Sequence, residues 1–583
     1  MSHARTNRPH ETPCVVQVGF AGARRLCDEE FTDPNAERSW HDAVEQHLAE
    51  SLDALANELR LSPHHFLCGI SQIACGADTL FTRACRTRQI RQRIFLPQPA
   101  DDYLSAAGSS GLPDFTPEQR AEAESLLASK HIIQQRVVSA SLNRTERFQE
   151  TNAEILRVSD VVICLLRENS RGESGGANDL LDRARAIGVP ALEIRVGSEH
   201  SRPVFDRKWH IDRERPFVPP TIPEPLDRLD ITQRDLSLLS SEEYCGPLKS
   251  LVSTQAKGLQ KFFRLAAALI LLTHVGATLL ATLALAFHSL HGHEPHAVDA
   301  SSHAVTAGTE RPENHQSESS QPADIAGDST PPHTGSFFVR AVPWLLGLEL
   351  VLLVAGQRIH HVLHRSRAVR IWANARVAAE LVRSIRAIHP RHIYLEHLFQ
   401  LPLPRRFRPL LRTLSVLHLH STYENRGDPW QPVRNNYLEK RITHQIGYFE
   451  EHLEDDSRSS SYFRKLFTLF TLLALAATAA KLVLVITTML GGGDGGAWPL
   501  VLGGMAIVLP VMAVAALSWA AAIDCEARAE TFRETLDFLH RRAVSLPHAD
   551  TAAEFDRLLL ETESVLLGEV ANWFSRRANT SVT

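Results

Sequence analysis

The sequence predicts an α/β fold: a Rossmann-like parallel sheet domain followed by an all-α membrane region with about four transmembrane helices and cytosolic amphipathic helices. Three observations lead there. Short apolar runs alternate with helix-like stretches over the first 200 residues, long uncharged segments recur after residue 260, and an acidic, histidine-rich connector separates the first two of them. The 583 residues are enough for several domains. With 62 Lys+Arg against 67 Asp+Glu the net charge is -5, which excludes a global positive field for wrapping nucleic acid. Six of the eight cysteines fall in the first 164 residues, a distribution that fits a reducing cytosol better than a disulfide framework. Residues 1–13 are polar, so no cleavable signal is expected and targeting falls to internal helices.

The sheet elements come first. Strands are expected at 14–20 (CVVQVGF), 65–70, 94–96, 161–166 and 191–194, with helices over 39–59, 76–88, 118–134, 148–158 and 178–187. Strands alternating with helices argue for a parallel sheet covered on both faces, with ligands at the C-terminal strand ends beside helix N-termini.

Four motifs gather at those ends. In GFAGARR (19–25), Gly19 and Gly22 permit tight turns and Arg24 suits a phosphate or carboxylate, or simply decorates the surface. In GISQIACGADTLF (69–81), Ser71 turns the chain and Gly76 opens a helix, while Asp78 either accepts from ribose hydroxyls or caps that helix. In LPQPADDY (96–103), Pro97 and Pro99 fix a loop, and Tyr103 either stacks on a base or packs. After the VVICLL strand, Gly175 and Gly176 precede a helix whose N–H groups suit a phosphate, with Asp179 available for sugar hydroxyls; a mobile glycine loop is the alternative.

The ordered set GFAGARR, SQIACGADTL, LPQPADDY, SDVVICLL and GGANDLLDRARAIGVPALEI resembles the SLOG superfamily over about residues 12–200. That resemblance implies a Rossmann-like fold that senses a nucleotide signal or cleaves a nucleotide-type ligand. The cytokinin-activating LOG-type phosphoribohydrolases carry PGGxGTxxE at the last loop. Here ESGGANDLL stands instead, with no Thr and no Glu at the catalytic place; Asp179 is the nearest acid. The departures favour sensing over hydrolysis, in which Asp78 or Asp179 would be the carboxylate.

Residues 201–260 are proline-rich and read as a linker. Transmembrane helices are expected at 265–287 and 341–357, and 466–522 as a hairpin joined by the short GGGDGG link. At about 1.5 Å per residue the first spans a hydrocarbon core of roughly 30 Å. Bases cluster before the first, after the second and before the third, whereas the connector 289–336 holds one base against seven acids. Positive-inside bias then puts both termini in the cytoplasm of a multi-pass inner-membrane protein. The connector reads as a disordered acidic extracytoplasmic loop, and that composition accounts for its histidines more simply than weak metal binding does. Glu349 and Lys481 lie at similar depth within the spans, where a lipid-facing charge costs several kcal/mol. They either pair inside the bundle or line a polar path.

The region 358–465 is basic and helical, with twelve arginines over 358–412 against Glu380 and Glu396, and suits lipid headgroups or an acidic neighbour. Tyr437, Arg441, Gln445 and Tyr448 recur at helical spacing. Helices over 523–577 carry Glu554, Glu561, Glu563 and Glu569, and opposed charge predicts their packing against the basic block. The stretch YLEKRITHQIGYFEEHLEDDSRSSSYFRKLF, two spans with a minimal turn, EARAETFRETLDF and LLLETESVLLGEVANWF resembles SLATT proteins over about 370–575. SLATT domains are transmembrane effectors of bacterial conflict systems with a predicted pore-forming role. The pair 265–287 and 341–357 is additional to that pattern.

Together these resemblances imply a nucleotide-sensing antiphage effector, a homo-oligomer in the bilayer, with a nucleotide-derived ligand and no cofactor, metal or nucleic acid. A membrane-anchored nucleotide hydrolase and a non-enzymatic membrane scaffold are the alternatives.

Overall fold

The computed structural model describes residues 12–27, 31, 33–106, 114–170, 175–199, 202–214, 216–227, 229, 236, 239–291, 336–365, 368–491 and 497–580. The acidic connector, most of the GGGDGG link and residues 171–174 of the glycine loop lie outside them. In chain order the elements are β1 (Cys14–Gly22), α1 (Pro34–Glu58), β2 (His65–Ser71), α2 (Ala77–Thr87), β3 (Arg91–Leu96), α3 (Ala100–Leu104), α4 (Pro117–Leu127), β4 (Ile132–Val137), α5 (Arg144–Val158), β5 (Val161–Arg167), α6 (Ala177–Ile187), β6 (Ala191–Glu199) and β7 (Arg202–His210). There follow α7 (Ser241–His291), α8 (Ser336–Arg365), α9 (Ala368–Ile388), α10 (Glu396–Gln400), α11 (Arg408–Ser421), α12 (Trp430–Tyr437), α13 (His444–Gly491), α14 (Trp498–Ile523), α15 (Cys525–Ser545) and α16 (Ala552–Thr580).

The chain forms two compact units: Met1–Lys261 with Arg367–Glu451 and Thr531–Thr583, and Phe262–Ser366 with His452–Glu530. The first holds the seven-stranded sheet, in the order β4-β3-β2-β1-β5-β6-β7. β1 to β6 are parallel and β7 runs antiparallel to β6. The expected α/β class is therefore the observed one. Val16, Val18 and Phe20 of β1 pack with Trp40, Val44 and Leu48 of α1 and Phe81 of α2, all buried. Phe20 and Phe81 stack at 4.2 Å.

On the other face, α5 and α11 both contact β1. The Val15 N–H donates to Thr413 Oγ1 at 3.0 Å, and Arg412 pairs with Asp160. A sequence division at residue 200 misses this, because the covering helix arrives two hundred residues later.

Two strand assignments change. The helix expected over 118–134 ends at Leu127, and Ile132–Val137 is edge strand β4. Residues 202–210, read as the start of a linker, form the opposite edge strand β7. The remaining proline-rich stretch packs on the unit: His65 Nε2 lies 2.8 Å from the Pro220 carbonyl, and Tyr244 Oη donates to Pro13 O at 3.2 Å. All eight cysteines are free thiols.

The expected contact between acidic and basic helices is present. Arg441 donates to Glu563 of α16 through Nε at 3.0 Å and Nη2 at 2.8 Å, and its Nη2 lies 3.3 Å from Glu380 of α9. Tyr437 Oη donates to Glu563 at 2.7 Å, and Arg391 grips Asp556. A π-turn over Leu438–Thr443 carries Arg441 and shifts the helical face. Beyond it Phe449 is buried and Tyr448 is exposed, so the expected stripe holds only through Arg441.

The second unit is helical. Four helical segments, Ser241–Phe287, Ala341–Leu363, Trp430–Leu490 and Trp498–His548, are long and apolar enough to cross a membrane. Their most apolar windows are mostly unburied, with Leu272, Leu350, Leu475 and Val514 all exposed. Such a surface suggests a membrane protein. Small residues mark the helix contacts: a Cβ on Gly276 would stand 3.1 Å from Leu352, and one on Gly356 would stand 2.7 Å from Thr273. Arg528 grips Asp456, and Arg464 meets Glu526 at 2.8 Å, so α13 and α15 are fastened at one end of the last two apolar segments.

Candidate functional site

The strand order reverses at β1. Strands β2 to β4 lie on one side and β5 to β7 on the other, so the β1/β5 boundary is the switch point where a parallel sheet opens a crevice. The loops after Gly22 and Arg167 leave from there.

Glycines bring the first turn close to α2. A Cβ on Gly22 would stand 2.1 Å from that of Ala77, and one on Gly76, whose φ is 88°, would stand 2.2 Å from the Arg24 carbonyl oxygen. The Ala77 N–H donates to Ala23 O at 3.2 Å, and the Gly22 N–H donates to Asp78 Oδ1 at 3.2 Å. The start of α2 is thus occupied by the chain's own loop. Asp78 is buried, and burial pushes its carboxyl up to about 7 against the pull of hydrogen bonds with the Ala74 and Gly22 backbones and of Arg24.

Three of the four motifs, through Arg24, Tyr103 and Gly175, meet around one residue that sequence reasoning did not select, Phe148 of α5. The guanidinium carbons of Arg24 and Arg144 lie 5.1 and 5.6 Å from its ring centroid. The Tyr103 ring stands at 6.3 Å, and a Cβ on Gly175, whose φ is 83°, would be 3.0 Å from the Phe148 Cβ. Arg24 and Arg144 share the Asp114 carboxylate, at 3.2 Å for Arg24. Arg147 holds the Gln98 side chain and, at 2.5 Å, the Ser141 carbonyl. Among the described residues Arg24, Arg144 and Arg147 gather here around the Asp114 carboxylate, a grouping that suits an anion.

The glycine loop is fixed from beneath. Buried Asn152 donates to the carbonyls of Gly175 at 2.8 Å and Gly176 at 3.2 Å, while its own oxygen accepts from Gln72 at 3.1 Å. Gly176 caps α6 without a side-chain bond, leaving a positive helix end beside the arginines. Asp179 accepts from the Gly175 N–H at 3.3 Å and pairs with Arg183 at 3.0 Å.

Arg24, Gly175, Gly176 and Asp179 remain at the accessible rim. Others do not. Gly19 accommodates Ser159, whose Oγ would lie 2.3 Å from an added Cβ. Ser71 is fully buried, donating to Gln72 O and accepting from Gln92. Asp78 is buried and braces Gly22, and Pro97 is buried. Tyr103 is 2% exposed between Phe115 and Phe148, so it packs and does not offer a face to a base; its hydroxyl has no hydrogen-bond partner.

The signal for the missed residues was the spacing of Arg144, Arg147 and Phe148, which puts them on one helix face. Asn152, Gln72 and Asp114 carried none. Among the described residues no cluster of His, Cys, Asp or Glu suits a metal ion.

In the second unit, Glu349 is half-buried and Lys481 exposed, and no ion pair joins them among the described residues. Lys481 Nζ lies 3.0 Å from where a Cβ on Gly503 would stand, so the ammonium lies against α14. No known protein family and no curated protein matches the chain.

Proposed function

We propose that the chain is a nucleotide-sensing membrane effector resembling SLOG–SLATT proteins of bacterial conflict systems. A phosphate-bearing nucleotide binds between Arg24, Arg144, Arg147 and the α6 N-terminus. Binding shifts the equilibrium of helices set in the inner membrane, with both termini cytoplasmic, and a homo-oligomer then opens a pore or disrupts the bilayer. The single observation that carries this reading is the convergence of three separated motifs, through Arg24, Tyr103 and Gly175, on Phe148 at the switch point, with Arg144 over the same ring. Both carboxylates that a hydrolase would use are engaged by protein groups, Asp78 under Gly22 and Asp179 by Gly175 and Arg183, which favours binding over hydrolysis.

Ligand control requires tighter binding to the active state than to the resting state. The test is calorimetry on the full chain in detergent, with cyclic nucleotides and dinucleotides, beside dye release from proteoliposomes. One of these ligands is expected to bind and to trigger release, and Arg24→Gln is expected to weaken its binding about tenfold, the loss of one charge-assisted hydrogen bond. No heat with any of the ligands, or release that ignores them, would overturn the proposal.

A further inference from the structure

A second cationic cavity lies in the first unit, away from the sheet edge. It has a volume of about 310 Å³ and is lined by Arg370 and Asn374 of α9, by Arg406, and by Thr221, Pro223 and Glu224 of the proline-rich stretch. Its polar groups are held in place. Asn374 Nδ2 donates to the Glu224 carbonyl at 2.6 Å, which turns its oxygen toward Arg406, whose Nη2 donates to it at 3.1 Å. The Arg406 guanidinium lies 5.5 Å from the Phe574 ring centroid.

Two features are unbalanced. Arg406 Nε is buried and has no acceptor. Arg370 lines the same cavity, and neither arginine has an ion pair among the described residues; the exposed Glu224 carboxylate pairs with neither. Burial and then the Arg370 charge lower the Arg406 pKa, the sign of two like charges facing one space.

An adjoining cavity of about 440 Å³ shares Glu224 and Ile371 in its wall. It contains the opposite imbalance. Among the described residues no donor reaches the buried acceptors Asp227 Oδ1 and Gln255 Oε1. Buried polar atoms are almost always paired, so donors set beside acceptors in this way suit a ligand that carries both an anion and hydroxyl groups.

We infer that these adjoining cavities bind a polyol phosphate, with the phosphate on Arg370 and Arg406 and the hydroxyls on Asp227 and Gln255. Both volumes fall within the roughly 300–1,000 Å³ of small-molecule sites. Gln255 lies on α7, ten residues before Leu265 in the sequence. A headgroup such as phosphatidylglycerol and a soluble glycerol phosphate present the same chemistry. The site stands independently of the nucleotide reading.

The test is calorimetry on the full chain in an uncharged detergent with four probes: sn-glycerol 3-phosphate, dihexanoyl-phosphatidylglycerol, inorganic phosphate and glycerol. At least one of the first two is expected to bind about tenfold more tightly than inorganic phosphate, and glycerol not at all. Arg370→Gln changes an exposed residue and is expected to weaken the polyol phosphate about tenfold, with an unchanged near-ultraviolet circular dichroism spectrum. Asp227→Ala is expected to abolish the advantage over inorganic phosphate while leaving inorganic phosphate binding in place. Tighter binding of the lipid than of glycerol 3-phosphate assigns the site to a membrane headgroup, and equal binding assigns it to a soluble ligand; both support the polyol phosphate. Inorganic phosphate binding as tightly as either, or affinity unaltered in Arg370→Gln, overturns it.

Discussion

Replacing Arg441 by methionine removes the cation from the most enclosed charge network of the first unit. The side chains of Arg441, Glu563 and Glu380 are 8%, 0% and 11% exposed. At the 2.8 Å separation of Arg441 and Glu563, an effective dielectric of about 20 gives an attraction of about 6 kcal/mol before desolvation is counted. Without the guanidinium, Glu563 keeps the Tyr437 hydroxyl alone among the described residues. Breaking a buried pair from one side costs about 3–5 kcal/mol, because the remaining charge has no compensation. Arg441→Met is therefore expected to lower stability by that amount. The edge-to-face pair Trp372 and Trp573, 4.9 Å apart on α9 and α16, provides a near-ultraviolet signal in urea titrations of the detergent-solubilised chain. Arg441→Met combined with Glu563→Leu is expected to recover much of the loss, since no lone carboxylate remains. A single-variant loss below about 1 kcal/mol would refute the reasoning.

Three other outcomes are expected. His418 is fully buried, and burial lowers its pKa to about 3, with His392, His397 and His420 at about 4. The unfolded chain takes up these protons near pH 6.5 and the folded chain does not, so stability falls by several kcal/mol as pH drops from about 6.5 to about 4. His418→Leu should flatten that slope in acid titrations, and an unchanged slope would exclude His418 as its source. Asp78 has the opposite sign: its folded pKa is raised to about 7, so its contribution is complete below about pH 3.9 and is lost as pH rises through 7. Asp78→Asn should gain stability relative to the parent over that window, by at most about 4 kcal/mol, and a constant difference across pH would contradict it. Gly22→Ala forces a Cβ to 2.1 Å from that of Ala77 and should cost about 1–3 kcal/mol by urea titration. Gly427→Ala, which meets nothing within 4 Å, should cost less than about 0.5 kcal/mol.

The interior strands were legible because both of their faces are covered. Val161–Leu166 is an unbroken apolar run, buried throughout. The two edge strands were not. Ile132–Val137 carries Gln134, Gln135 and Arg136, and Arg202–His210 holds only exposed and half-buried positions, so neither stands out from a polar helix or a loop. The four motifs were visible because glycine and proline mark turns. The contact of three of them with Phe148 was not, since no local pattern distinguishes a phenylalanine that faces a cleft from one that faces a core. The stripe through Tyr448 failed for a local reason: the π-turn at Leu438–Thr443 inserts a residue and hands burial to Phe449.

The first unit is threaded from three stretches of chain, and its second sheet face waits for α11 while Arg441 waits for α16. A ribosome therefore has to deliver every apolar helix before that unit is whole. The sheet cannot be lifted out as a cassette at residue 200 or 261 without taking Thr413 from Val15 and Arg412 from Asp160, and a truncated chain ends as an unfinished unit, not as a smaller one.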